Sequence, residues 1–303
     1  MKGLIFPSNF YFLRIFFINM SKRLFSFFLI FSLFSALFAE DVISEYTRQK
    51  VEDFVTFRVT LKSVEHELAY KKIDELKKEA LAELPMHAKD FEQEKCLLES
   101  LYFAEYYEHA LNSTGNQKEL RAEMKRLMKN NFACIDARKK SGVCEWMYQL
   151  AGDVTAYYMT RSAAATFLYG MKVKGFYEKA VLANKNRAIS HVCLGNWCFY
   201  APSLFGGGKT KALRHFENAE KCVVIPGEKY LVYIAMSQIN FENKNYDAAN
   251  DYLEKAIALD LGRKDLDLIF RCNKKGFSYF QYLRNRSGVD EEMSDEEKDE
   301  DDK

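Results

Sequence analysis

Across 303 residues, 44 Lys and Arg face 43 Asp and Glu, and the formal charge of +1 hides two biased ends: ten acids among the last fourteen residues, and four bases with no acid in residues 1–39. The 38 bases and 33 acids of residues 40–289 are too nearly balanced to call for a nucleic-acid partner. Only 14 glycines and 4 prolines punctuate the chain, which argues against a strand-rich sandwich or barrel, and 48% apolar composition supplies a core too large for a small disulfide scaffold.

Residues 1–39 read as a signal peptide. Lys22-Arg23 precede an apolar run from Leu24 to Phe38, and Ala39 stands before the acidic pair Glu40-Asp41. Met20, directly before the basic pair, is the expected start of translation. The run is about fifteen residues, short of the roughly 20 that span hydrocarbon, so a retained membrane anchor is the alternative rather than the first reading. The first cysteine is Cys96, which gives no support to a lipid anchor at the cut. The expected location is periplasmic, or otherwise exported and soluble.

Residues 40–146 show apolar spacings of three and four, a sign of helix, without a clean repeat. Pro85 is expected to end one helix. Residues 95–111 place Leu98, Leu101, Tyr102, Glu105 and Tyr106 on one stripe, and Gln117 to Lys140 turns Leu120, Met124, Leu127 and Met128 inward. These divergent helix pairs are expected to pack on, and cap, the solenoid that follows. The chain has 7 cysteines, an odd number that cannot all pair. Cys134 and Cys144 flank a short connection containing Ser141-Gly142 and are the candidate bridge; buried free thiols are the alternative. Cys193 and Cys198, five apart on a helix, point about 140° apart, which favours neither a bridge nor a shared metal.

Residues 147–262 repeat a design. In the last unit Tyr233, Met236 and Ser237 lie on a first helix, Glu242-Asn243-Lys244-Asn245 makes a turn, and Ala249, Leu253 and Ala256 follow at i, i+4 and i+7 on a second. The preceding unit places His191, Leu194, Gly195 and Cys198 on its first helix and Ala212, Phe216 and Ala219 on its second, joined by a longer loop ending in Gly206-Gly207-Gly208. An earlier second helix has Tyr177 and Ala180 in register. The intervals from Ala180 to Ala219 and Ala256 are 39 and 37 residues. This resembles the tetratricopeptide repeat, a 34-residue helix pair with a small residue facing an aromatic. The expected fold is therefore all-α: a helix-pair, TPR-like solenoid. One amphipathic helix within residues 263–287, carrying Leu266, Ile269, Phe270, Phe277 and Phe280, is expected to cap it, and the acidic residues 288–303 are expected to be disordered.

Little in the sequence points to chemistry. Gly208-Lys209-Thr210 imitates a phosphate-binding loop, but Ser203 stands where that motif needs its first glycine, so nucleotide binding is the lesser alternative. His66, His87, His109, His191 and His215 are scattered, and no Gly-x-Ser-x-Gly or His-Glu-x-x-His signature appears. The chain is expected not to be an enzyme and to use no cofactor or metal. What a helix-pair solenoid offers is a concave face lined by first helices. The inward positions are Val192, Asn196, Phe199 and Tyr200 in one unit and Ile234, Gln238, Phe241 and Glu242 in the next, a mixture suited to a peptide or to a small apolar or carboxylate ligand. The same residues would otherwise simply be core.

Tyr200-Ala201-Pro202, the glycine cluster, Lys211-Ala212 and His215-Phe216-Glu217-Asn218-Ala219 also resemble the periplasmic T component of tripartite ATP-independent periplasmic (TRAP) transporters, over about residues 147–261. That resemblance implies an all-helical trimer with an apolar pore, associated with a solute-binding protein. The acidic tail, and the lack of a cysteine at the cut, depart from the family. The expected function is an exported binding or assembly protein accessory to solute uptake, with an envelope scaffold that holds no small ligand as the alternative.

Overall fold

The computed structural model describes residues 42–61, 66–113, 117–159, 162–261 and 265–284. The predicted signal peptide and acidic tail lie outside them. Among the described residues there is no strand, and twelve α-helices pack largely against their neighbours in sequence. No helix among them is long and apolar enough to cross a membrane.

Helix α1 (Glu45–Leu61) buries Thr47, Val51, Phe54, Val55 and Val59, a stripe of helical period. Ser44 begins it, its Oγ accepting the Thr47 N–H at 3.1 Å. Helices α2 (His66–His87) and α3 (Phe91–Ser113) form the first hairpin, and α4 (Gln117–Ala137) lies against α3. Leu120, Met124, Leu127 and Met128 are buried on α4 as predicted. Pro85 does not end its helix, because it sits in the last turn of α2 while the Ala88 N–H still bonds the Leu84 carbonyl at 2.9 Å.

Three helix pairs follow: α5 (Glu145–Met159) with α6 (Ala163–Ala183), α7 (Ala188–Tyr200) with α8 (Lys209–Cys222), and α9 (Pro226–Glu242) with α10 (Tyr246–Ile257). A Cβ placed on Gly195 would fall 2.4 Å from Cε1 of Phe216, and one on Gly152 would fall 2.4 Å from Cε1 of Tyr177. A bare backbone on the first helix thus seats an aromatic ring from the second, twice. The α5–α6 pair is therefore a full unit, completed by Gly152, which the sequence pattern had yielded only as a second helix. Ala180, Ala212, Ala219, Ala249 and Ala256 are buried at the close contacts, with Leu194 and Leu253 between them.

Two features differ from expectation. α1 does not cap the stack; it packs on α9 and α3 together. At Gly227 the contact is backbone to backbone, since a Cβ there would lie 2.4 Å from the Val55 carbonyl oxygen. The predicted C-terminal helix is two helices, α11 (Asp265–Lys274) and α12 (Tyr279–Arg284). Gly276 adopts φ +88° and the Phe277 N–H returns to the Cys272 carbonyl at 3.2 Å, which closes α11. Ser278 then caps α12 through the Gln281 N–H at 3.0 Å. Because of that break Phe280 turns back to pack on Phe199 and Phe216 instead of covering an end of the stack.

Candidate functional site

Of the eight predicted groove residues, Phe199, Tyr200, Gln238 and Glu242 are met by residues 278–284, Val192 and Ile234 lie in the core, and Tyr200 stays exposed while Asn196 and Phe241 are half-buried. The Phe199 ring meets Phe280 with centroids 4.7 Å apart, and the Tyr200 hydroxyl donates to the Phe280 carbonyl at 3.4 Å. The Gln238 Oε1 accepts the Tyr279 N–H at 2.6 Å, and Glu242 accepts the Ser278 hydroxyl. Arg284 lies over the Phe199 ring at 5.1 Å and donates to the Phe199 carbonyl at 3.1 Å. Ile234 is core, clustered with Val59 of α1 and Ile269 of α11, and Val192 is buried in the α7–α8 core. Phe241 stacks edge-on with Tyr246 at 5.1 Å, and Asn196 is half-buried. The first-helix face is thus partly covered, at Ile234 by α1 and at Phe199, Tyr200, Gln238 and Glu242 by α12 and the turn before it. The sequence signal for this cover is the aromatic pair Phe277 and Phe280, which carries apolar surface that favours burial.

Where α1 crosses the stack, charges are buried in a network. The Arg187 guanidinium reaches Glu52 at 3.0 Å, Glu145 at 3.6 Å and Glu228 at 4.0 Å, and sits over the Trp146 ring at 4.7 Å. Arg48 joins Glu145 at 3.8 Å. Burial pushes the Glu228 carboxyl above the usual range, with Arg187 opposing. Further along α1, Arg58 lies 3.6 Å from Glu105. Asp153 accepts the Tyr177 hydroxyl at 2.9 Å, and burial raises its carboxyl above the usual range despite Arg58 nearby. These groups tie α1 to α3 and α5 and, through Arg187, to α9, and the Cys193 thiol also donates to Asp153 at 3.8 Å.

The glycine-rich loop has spent its amides. The N–H groups of Gly206, Gly207 and Gly208 bond to the carbonyls of Ser203, Pro202 and Cys198 at 2.9, 3.2 and 2.7 Å. Lys209 turns to the Glu242 carboxylate at 2.6 Å. A phosphate would find neither cradle nor free ammonium there.

Four of the five histidines are paired in space, which their sequence positions gave no means to see, and His87 stacks on Tyr46. His66 and His109 approach Nδ1 to Nδ1 at 2.9 Å, and the His191 and His215 rings lie 6.0 Å apart. Burial, with His191 alongside, pushes His215 down to about 4. Among the described residues no three His, Cys, Asp or Glu side chains are grouped to hold a metal ion. A cleft of about 500 Å3 beside His191 carries Lys185, Lys221, Asn186 and Asn218 on its walls. All seven cysteines are thiols, and Cys134 is hydrogen-bonded to Cys96 instead of being joined to Cys144. Cys144 is turned into the core at the start of α5, its N–H donating to Gln93 at 3.3 Å.

Outside the stack one helix face is left bare. Ala164, Phe167, Leu168 and Met171 on α6 are exposed, Phe167 to 86% and Leu168 to 66%. The helix is fully formed there, since Ser162 Oγ accepts the Ala165 N–H at 3.3 Å. No family model matches the chain, and no curated protein matches it in sequence.

Proposed function

We propose that this is an exported, non-catalytic helix-repeat assembly protein, accessory to a solute-uptake system, and that it self-associates through the first two turns of α6. The observation that carries the reading is the bare stripe Ala164, Phe167, Leu168 and Met171, at i, i+3, i+4 and i+7. That spacing makes a narrow apolar seam, the form in which two helices meet, and such a seam is complementary to itself about a two-fold axis. Water contact with these side chains is unfavourable by roughly 25 cal/mol per Å2 of apolar surface, so a partner that covers them is favoured. The cover over Phe199, Gln238 and Ile234 favours protein association over a ligand held on that face, and the occupied amides of the glycine loop weigh against the nucleotide reading. A solute-binding protein remains the proposed second partner, on the strength of the TRAP T-component resemblance.

Sedimentation equilibrium of the purified chain is the test. Wild type is expected to be an oligomer at micromolar concentration, and Phe167→Glu with Leu168→Glu a folded monomer. A monomeric wild type, or a variant that keeps the oligomer mass, overturns the reading.

A further inference from the structure

Two cysteines on different helices meet in the N-terminal half. Cys96, in the second turn of α3, donates its thiol to Asn131 Oδ1 at 2.9 Å, and Asn131 stands one helical turn before Cys134 on α4. The Cys96 sulfur therefore lies against the face of α4 that carries both residues, and the two thiols are hydrogen-bonded to each other. Ser100, one turn along α3, shares Asn131 Oδ1 at 2.9 Å, which fixes the register of the two helices at this point. On the other side of Cys134 the Arg138 guanidinium stands 3.4 Å from its sulfur, held there by Asp90 at 2.6 Å. Both sulfurs are almost wholly buried, with Cys134 the one flanked by the partly exposed Arg138.

We infer that Cys96 and Cys134 form a disulfide that staples α3 to α4, with Cys134 as the attacking thiol and Cys96 as the resolving one. The order follows from the surroundings. When Cys134 ionises, Cys96 turns its one hydrogen from Asn131 to the Cys134 sulfur; that bond holds the Cys134 thiol below its ordinary range against the effect of burial, with Arg138 adding to it, and the same bond and burial push Cys96 up.

The oxidant is a small-molecule or protein disulfide. The Cys134 thiolate attacks one of its sulfurs, the sulfur–sulfur bond breaks, and one thiolate leaves. Cys96 then gives up its proton and attacks the Cys134 sulfur of the mixed disulfide, releasing the second thiolate. Two protein thiols are oxidised and one disulfide is reduced to two thiols, so atoms and electrons balance. The bridge closes the chain from 96 to 134 around the connection between α3 and α4, restricting the unfolded chain most where the helices are joined by a loop.

The full purified chain is incubated with oxidised glutathione, its remaining thiols are blocked with iodoacetamide, and it is digested without reductant for peptide mass spectrometry. A peptide pair linked through Cys96 and Cys134, lighter than the two free peptides by two hydrogens, is expected, together with a rise in melting temperature on the order of 5 °C that dithiothreitol reverses. Cys144→Ser keeps the linked pair, and Cys134→Ser loses it without forming another. Alkylation of both Cys96 and Cys134 after oxidation, or a linked pair joining Cys134 to Cys144, overturns the inference. The wild-type map decides this even if a cysteine variant does not fold.

Discussion

Replacing Gly195 by alanine tests the seat on which the repeat packing depends. The new methyl would stand 2.4 Å from Cε1 and 2.6 Å from Cδ1 of Phe216, about 1 Å inside ordinary contact. The ring has little room to yield: it is fully buried, with Phe280 6.1 Å away on its other neighbour contact. Overpacking of this kind costs about 1–3 kcal/mol, and alanine returns up to about 1 kcal/mol of helix propensity over glycine, leaving a net destabilisation of about 1 kcal/mol. With Phe216→Leu already in place the ring edge is gone, and only the propensity gain remains. Gly195→Ala should then stabilise by up to about 1 kcal/mol, a coupling of about 2 kcal/mol across the pair. The third unit already carries that combination, with Ser237 and Leu253 in the matching register. Urea unfolding followed by far-ultraviolet circular dichroism on the four proteins of the cycle measures the coupling. An effect of Gly195→Ala with the same sign in both backgrounds would refute the packing argument.

Arg187→Met leaves Glu52, Glu145 and Glu228 facing one another with their common cation gone, a loss of about 3–5 kcal/mol at pH 7. Urea midpoints should show a smaller deficit at pH 5, since burial already raises the Glu228 carboxyl and losing Arg187, which opposes that, lets it take a proton more readily. His215 has a folded value lowered to about 4 from an ordinary 6.5, so the unfolded chain binds its proton first. Its contribution is complete above pH 6.5 and is lost as pH falls towards 4; His215→Gln should flatten that limb of a stability–pH profile. Lys209→Ala breaks an ion pair whose lysine is half exposed, for at most about 1 kcal/mol. Melting curves should show no shift on adding ATP and magnesium to either wild type or this variant.

Helices were legible where periodicity was unambiguous. The buried residues of α4 follow directly from Leu120, Met124, Leu127 and Met128, and those of α7 to α10 from small residues at repeat spacing. What lay beyond reach was long-range. That α1 meets α9 depends on Gly227 receiving the Val55 and Thr56 backbone, with Gly227 171 positions from Thr56, and no local pattern signals such a contact. The groove residues lie on the expected helices, yet Phe199, Tyr200 and Gln238 are met by Tyr279, Phe280 and Arg284, because a glycine break at 276 reverses the chain. Cys134 was matched to the nearer cysteine in sequence, whereas helix packing brings it to Cys96, 38 positions away.

The central claim is that the bare face of α6 joins two copies of the chain. Phe167 replaced by the photo-crosslinking residue benzoylphenylalanine, irradiated in the full-length protein, tests it most directly. A covalent dimer whose crosslink maps to residues 163–171 of the second copy is predicted, with the same residue at Leu204, also exposed at 87%, giving none. Dimers that map elsewhere, or irradiated protein that stays monomeric, would contradict it.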